Sequence, residues 1–316
     1  MNFIGRQLAL VLVAAFCAET LSDEVAPAPI TCLVISGDGQ TVISCSQQGI
    51  TLRDWEQLAV QRRLPISFHQ LHDLCLSPDE SMLAVAGGNP AEHATVAMFS
   101  WPQLQLMWTK SFSDDVVYSI AFDATGTQLA AGGHDHSVSV MNGMNGDLLH
   151  VLNGHSKPVT GVAYLPGGEL LLSCSIDQTI RVWNTANGTL ARSLTNHTRA
   201  VNQVVPGKRD DGTPVLAVSV GDDRTVRFWQ PTIGRMVRFK RLDAPVTTVA
   251  WSVDGGRVFA GTQDQRLIAV EVQTLQATVL DVPPDGWIHC LAVHPLQSKL
   301  VIGTSNGTVR KIAISE

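Results

Sequence analysis

The sequence has few charged residues and lacks several motifs by which catalytic sites are recognised. Lys, Arg, Asp and Glu make up 16% of the 316 residues, and the net charge is −6. This acidic balance disfavours general binding to nucleic acid or anionic membranes, which requires a basic surface. The chain has no phosphate-binding Walker loop, no Cys-x-x-Cys pair and no His-Glu-x-x-His motif. We therefore expect no enzyme, no metal site and no cofactor.

Long apolar runs are absent except near the N-terminus. Residues 8–16 form an unbroken apolar run, preceded by one Arg and followed by small and then acidic residues. The run is too short to span a bilayer as a helix, and the pattern is typical of a secretory signal peptide. We predict a signal at residues 1–17, cleavage near residues 17 and 18, and a periplasmic or secreted protein without a membrane span. A cytoplasmic protein with an uncleaved N-terminus is the alternative.

What the chain does contain is a repeat. The stretches 175–183 and 221–229 share the pattern Asp-x-Thr-β-branched-Arg-apolar-Trp, and their aspartates, Asp177 and Asp223, are 46 positions apart. Weaker copies continue in both directions at similar spacing. A period of about 40–45 residues is typical of β-propeller blades. Short strands bounded by Gly, Pro and Asp turns argue against a parallel α/β sheet.

The copies divide residues 18–316 into seven units. The units begin near Ile30, Leu74, Val117, Val159, Val201, Val246 and Ile288. We predict an all-β fold, a seven-bladed β-propeller of four-stranded antiparallel blades in one domain. The last unit offers three strands, and an open edge invites aggregation. We therefore expect residues 18–25 to supply its outer strand and close the ring.

A histidine precedes each full copy of the repeat. These copies resemble the repeats of the WD40 family, in which His, Ser, Asp and Trp form a hydrogen-bonded tetrad inside the blade. The resemblance implies two tetrads, His155, Ser173, Asp177 and Trp183 in one blade and His197, Ser219, Asp223 and Trp229 in the next. Their role would be structural, because a half-buried Asp needs donors. The resemblance also implies a monomeric, non-catalytic scaffold that binds other proteins, often through the face bearing the Asp turns.

An exported propeller enzyme, of the hydrolase or quinone-dependent dehydrogenase type, is the competing function. It would need acids or imidazoles converging on a metal or cofactor in the channel. The inner strands offer mostly Val, Ile, Leu, Ala, Thr and Cys. The best cluster is His69, His72 and Asp73. Neighbouring residues of a regular strand point to opposite faces, so we expect no site there.

Basic residues are concentrated in the fifth unit. Eight of the 22 Lys and Arg residues fall between positions 208 and 241. One interpretation is a solvated edge whose charges block strand addition, and the other is a contact surface for an acidic partner. The candidate patch consists of Lys208, Arg209, Arg235, Arg238, Lys240 and Arg241.

The cysteines allow one disulfide. Cys32 and Cys45 flank the first hairpin, and a loop at residues 37–40 would pair them across it. Cross-strand neighbours have Cβ atoms close enough for a disulfide, and an oxidising compartment would permit the bond. The alternative is that both are small buried residues.

Overall fold

Seven small antiparallel sheets account for the strands of the structure. The computed structural model describes residues 27–66, 70–89, 91–113, 115–207, 216–283 and 285–314. Within each sheet, every strand pairs with its neighbour in sequence. In this part of the chain, no helix has the length and apolarity needed to cross a membrane. The all-β prediction is confirmed.

Each sheet is one blade, and its first strand lies nearest the central channel. Blade one contains β1 (Cys32–Ile35), β2 (Thr41–Ser46), β3 (Gly49–Asp54) and β4 (Val60–Leu64). Blade two contains β5 (Gln70–Leu76), β6 (Met82–Asn89), β7 (His93–Ser100) and β8 (Leu106–Ser113). Blade three contains β9 (Val117–Phe122), β10 (Gln128–Gly133), β11 (Val138–Asn142) and β12 (Leu148–Leu152).

The remaining blades follow the same order. Blade four contains β13 (Val159–Tyr164), β14 (Leu170–Ser175), β15 (Ile180–Asn184) and β16 (Thr189–Leu194). Blade five contains β17 (Val201–Pro206), β18 (Ala217–Gly221), β19 (Thr225–Gln230) and β20 (Arg235–Arg241). Blade six contains β21 (Val246–Trp251), β22 (Arg257–Thr262), β23 (Leu267–Glu271) and β24 (Ala277–Leu280). Blade seven contains β25 (Ile288–Val293), β26 (Lys299–Thr304) and β27 (Val309–Ala313).

The inner strands pack side by side into a closed ring. Each contacts the next along the chain, and β25 contacts β1. The chain is therefore a seven-bladed β-propeller, as the repeat predicts. Blade two begins at Gln70, earlier than the predicted Leu74. Blade seven has three strands among the described residues, and the closing strand predicted at 18–25 and the signal predicted at 1–17 lie outside those residues.

The apolar core lies between the blades. Val218 and Phe228 of blade five, for example, pack with Val249 and Val258 of blade six. A middle strand is covered by a neighbouring blade on each face, so its side chains are buried on both sides, as along β6. This explains why the sequence of β6 is apolar without alternation. The outer strands are largely exposed.

The first hairpin has the register that the sequence predicts, but its cysteines are free thiols. Cys32 pairs with Cys45 across β1 and β2, and neither residue forms a disulfide. Their sulfurs have separate neighbours: Cys32 Sγ lies 3.7 Å from the Leu74 carbonyl oxygen, and Cys45 Sγ lies 3.2 Å from Thr31 Oγ1. The structure thus holds two thiols where the sequence allows a bridge. Burial raises the pKa of Cys45 to about 12, so little reactive thiolate forms.

Candidate functional site

Blade four brings together the four residues that the resemblance assigns to its tetrad. The two ring nitrogens of His155 lie 2.8 Å from Asp177 Oδ2 and 2.8 Å from Ser173 Oγ. Trp183 Nε1 donates to the same Ser173 hydroxyl over 2.8 Å. Strand pairing creates this geometry, because Ser173 on β14 and Trp183 on β15 follow the His loop and flank the Asp turn. Each of the four side chains therefore has a partner inside the blade.

Blade five repeats the arrangement. The ring nitrogens of His197 lie 2.8 Å from Asp223 Oδ2 and 2.7 Å from Ser219 Oγ. Trp229 Nε1 donates to Ser219 Oγ over 2.8 Å. These distances match those in blade four, although more residues separate the first two strands in blade five. The two tetrads are thus equivalent in their four main residues.

The two tetrads differ in the arginine that follows the Asp turn. Nη2 of the buried Arg227 lies 3.3 Å from Asp223 Oδ2. The corresponding Arg181 lies over the Trp183 ring, 5.9 Å from its centroid, and its Nε has no hydrogen-bond partner among the described residues. Asp223 therefore has a buried positive partner that Asp177 lacks.

The hydrogen bonds keep the tetrad carboxylates ionised. Burial alone would raise the pKa of Asp177 and Asp223, but hydrogen bonds from His and Thr outweigh it and hold both pKa values far below the usual range. Burial lowers the pKa of His197, which favours the neutral imidazole. Because these polar groups satisfy one another, the tetrads act as structural networks rather than as open binding groups.

The mouth of the channel is lined by one equivalent residue from each blade. In six blades the register shifts near the start of the inner strand, at the second residue in five of them and at the third residue, His72, in β5. A bulge of this kind changes the direction of a side chain. We call these positions the mouth positions, and in blade order they are Thr31, His72, Tyr118, Thr160, Asn202, Thr247 and His289.

Four of the mouth positions connect neighbouring blades. Each side chain donates a hydrogen bond to the backbone carbonyl of the residue that precedes the mouth position of the next blade. Thr31 Oγ1 makes this bond over 2.7 Å and Asn202 Nδ2 over 2.8 Å, and the hydroxyls of Thr160 and Thr247 repeat it. The position therefore serves as a clamp between blades. Thr and Asn suit it because they carry a short side-chain donor.

The other three mouth positions carry rings, and within the described structure none of them makes the clamp. They are His72, Tyr118 and His289. The His72 ring packs edge-on against Tyr118, with centroids 5.0 Å apart. Nε2 of His72 is buried and has no hydrogen-bond partner among the described residues. Burial also lowers the pKa of His72, so the ring is neutral at pH 7.

Other rings extend this cluster onto the rim of the channel. The Tyr118 ring lies 6.4 Å from that of His134, whose Nδ1 lies 3.0 Å from Asp115 Oδ2. Trp287 is 47% exposed and stacks on His289 at 6.4 Å. The three ring-bearing mouth positions line an opening of about 500 Å³. The mouth positions are therefore aromatic in blades seven, two and three and short and polar in the other four blades.

The bulge in β5 changes the interpretation of His72 and Asp73. The register shift between Leu71 and Asp73 removes the regular alternation of side chains, and both residues line a channel cavity of about 340 Å³. The regular alternation assumed for His72 and Asp73 therefore does not hold along β5, and the expectation of no site there stays a prediction. Asp73 Oδ2 accepts the backbone N–H of Ile120 over 2.9 Å, and burial raises the pKa of Asp73. His69 lies outside the described residues.

Two features that could indicate a catalytic site are a cluster of metal ligands and a Gly-x-Ser-x-Gly stretch. The described residues contain no group of three or more His, Cys, Asp or Glu side chains placed to hold a metal ion. Residues 303–307 read Gly-Thr-Ser-Asn-Gly, which has the spacing of a hydrolase nucleophile on a strand-to-helix turn. Here Ser305 lies between two strands, β26 and β27, and its Oγ accepts the Trp287 backbone N–H over 3.0 Å. This stretch is a hairpin turn.

The basic patch predicted for blade five falls on its outer strand. Lys208 and Arg209 lie outside the described residues. The other four members all belong to β20, namely Arg235, Arg238, Lys240 and Arg241. Nη1 of Arg238 donates to the carbonyl oxygens of Val272 and Gln273 over 2.9 and 2.8 Å. Arg238 thus joins blade five to blade six.

Known proteins share this repeat. The family model for the WD domain, G-beta repeat, matches residues 105–142, 146–184 and 188–230. The nuclear distribution protein nudF of Aspergillus niger is 27% identical over 189 residues, which cover 58% of this chain and 42% of that protein. The Target of rapamycin complex subunit wat1 of Schizosaccharomyces pombe is 31% identical over 126 residues, 39% of each chain.

A third relative is similar over a longer part of this chain. TOPLESS-RELATED PROTEIN 2 of Oryza sativa is 24% identical over 265 residues, which cover 76% of this chain and 22% of that protein. The chain spans about two fifths of the length of the first two relatives. The matched repeats include both tetrads, and the other blades repeat the same strand order. Residues 105–230 of the chain are therefore repeats of the WD40 family.

Proposed function

We propose that the protein is a non-catalytic scaffold that binds a protein partner at the mouth of its channel. One observation carries this proposal. Three mouth positions do not form the hydrogen bond that clamps neighbouring blades, and their rings line an open cavity instead. An unpaired buried polar atom such as His72 Nε2 typically costs about 1–3 kcal/mol. Because Nε2 itself is buried, the partner would contact the accessible parts of the three rings. The rigid blades would hold the rings in place for recognition.

The relatives support the class of function. One of them is by its name a subunit of a protein complex. A role in assembling proteins would need no catalytic group, and a closed tetrad network supplies rigidity without one. The partner of this chain would contact the face that carries the tetrad turns, because the mouth positions stand at that end of the inner strands.

The mouth can be tested by giving its ring positions the residue that other blades use. We expect His72→Thr combined with Tyr118→Thr to reduce capture of the partner by at least about tenfold, because shape and hydrogen-bonding complementarity are lost together. The melting temperature should stay the same or rise, since a buried unpaired nitrogen is removed. Quantitative crosslinking and capture from the source organism, with the melting temperature measured in parallel, would check both expectations.

A matched control lies on the opposite face. Leu296 is 75% exposed and belongs to the turn after β25, at the other end of the channel. The partner captured by the native chain should also be captured by Leu296→Ala. If the double variant at the mouth kept the partner while Leu296→Ala lost it, the partner would bind the other face and the proposal would be wrong.

We also propose that the protein is exported. The charged start, the apolar run at residues 8–16 and the small residues after it support a cleaved signal. We expect the mature protein to begin near residue 18. N-terminal sequencing of the protein from its source would check this, and an intact Met1 would contradict export by cleavage.

A further inference from the structure

The outer strand of blade five carries far more positive charge than the other outer strands. β20 has as many basic residues as β4, β8, β12, β16 and β24 together. Two of those strands, β12 and β24, carry no charged residue. Protection of an open edge therefore does not require a strand as basic as β20, and a second explanation is needed.

Among the described residues, no carboxylate forms an ion pair with the charges of β20. Arg235 and Arg241 are exposed, and the strand itself contains no acidic residue. Phe239 is 47% exposed between them and stacks on Arg227, 5.2 Å from its guanidinium carbon. The edge thus combines unpaired cations with an exposed ring.

The cations lie on both faces of the blade. Lys240 pairs with Val226, whose side chain packs between blades five and six. Arg241 pairs with Thr225, whose hydroxyl donates to the tetrad Asp223. Paired residues of antiparallel strands project to the same face, so Lys240 and Arg241 project to opposite faces. A partner lying flat against one face would reach only part of this charge.

We propose that β20 binds an acidic, extended segment of a partner protein, which adds to blade five as a fifth strand. The outer edge of a sheet offers backbone N–H and C=O groups to such a segment. Successive side chains of an added strand project to opposite faces, so neighbouring acidic residues would meet Lys240 on one face and Arg241 on the other. This surface is separate from the channel mouth and goes beyond the proposed function.

Two synthetic peptides of equal charge test the proposal. The first is a short fluorescent peptide with neighbouring Asp and Glu residues among β-branched ones. The second has the same charge but proline at alternate positions, where the missing N–H prevents strand pairing. We expect the first peptide to bind the full chain, to bind more weakly as salt rises, and to slow amide hydrogen exchange over residues 235–241. The proline peptide should not bind.

Charge-reversed variants locate the site. Lys240→Glu with Arg241→Glu should weaken binding of the first peptide at least about tenfold, because attraction becomes repulsion on both faces. The matched control is Arg62→Glu with Arg63→Glu, a neighbouring basic pair on the outer strand β4, which should leave the affinity within about twofold. If the reversal on β20 lowers the melting temperature, Lys240→Gln with Arg241→Gln replaces it and should give a smaller loss of the same kind.

Three results would overturn the proposal. These are binding of neither peptide by the native chain, binding of the proline peptide as tightly as the first, and equal losses of affinity in the two charge-reversed variants. The His72→Thr and Tyr118→Thr variant should still bind the acidic peptide, so a failure of the channel-mouth proposal would leave this test unaffected.

Discussion

Replacing Trp229 by alanine is expected to lower the free energy of unfolding by about 3–5 kcal/mol. The ring is 1% exposed and packs with residues of blade four, including Ile180 and Leu194. The substitution would leave a cavity between two blades. It would also remove the hydrogen bond that Trp229 Nε1 donates to Ser219 Oγ. Chemical denaturation followed by circular dichroism would measure the loss.

The control for this prediction uses the same substitution at an exposed site. Trp287 is 47% exposed on the rim of the channel, so Trp287→Ala should change the free energy of unfolding by less than about 1 kcal/mol. If both variants lost the same free energy of unfolding, the buried tetrad Trp would contribute no more to stability than an exposed Trp.

Asp223→Asn should destabilise the protein by about 3–5 kcal/mol, because the buried Arg227 would lose its negative partner. Asp177→Asn makes the same chemical change in a tetrad without that arginine contact. It should lose about 1.5–3 kcal/mol, the contribution of a hydrogen bond to a charged group. Denaturant titrations of both variants would measure the difference. Equal losses would show that the pair between Asp223 and Arg227 contributes no net stability.

The same aspartate predicts a pH dependence. The pKa of Asp223 is lower in the folded chain than the value of about 3.9 expected when unfolded. Its stabilisation is therefore complete above about pH 4 and lost as the pH falls toward the folded pKa. Burial of His197 lowers its pKa as well, so acid also favours unfolding from about pH 6.5 downward. The Asp223→Asn variant should show a weaker loss of melting temperature below about pH 4 than the native chain.

The fold could be predicted from the sequence because its signals act over short distances. The Asp-x-Thr turns around Asp177 and Asp223 fix local hairpins, and the spacing of the copies counts the blades. The register that places Cys32 opposite Cys45 also follows from one short loop. Whether the two sulfurs bond does not follow from register, since it depends on the neighbours that each sulfur meets in the packed core.

The candidate site was harder to predict from the sequence because its geometry depends on a β-bulge. A regular strand would separate His72 from Asp73, whereas the register shift brings both to the channel. The sequence does contain one usable signal: the seven mouth positions align when the inner strands are superposed by their repeat. Ring residues at His72, Tyr118 and His289 then stand out against Thr and Asn. Their missing clamps become visible only when the facing carbonyls of the next blade are known.

The sequence by itself determined the all-β class, the number of blades, the two tetrads as a family resemblance and the concentration of basic charge in one unit. Those features depend on residues close in sequence or on exact repetition. Only the tertiary structure decided that Arg227 pairs with Asp223 while Arg181 pairs with no carboxylate of the described residues, and that Lys240 and Arg241 lie on opposite faces of one blade. The reason is that burial, strand bulges and contacts between blades bring together residues that the linear repeat treats as equivalent.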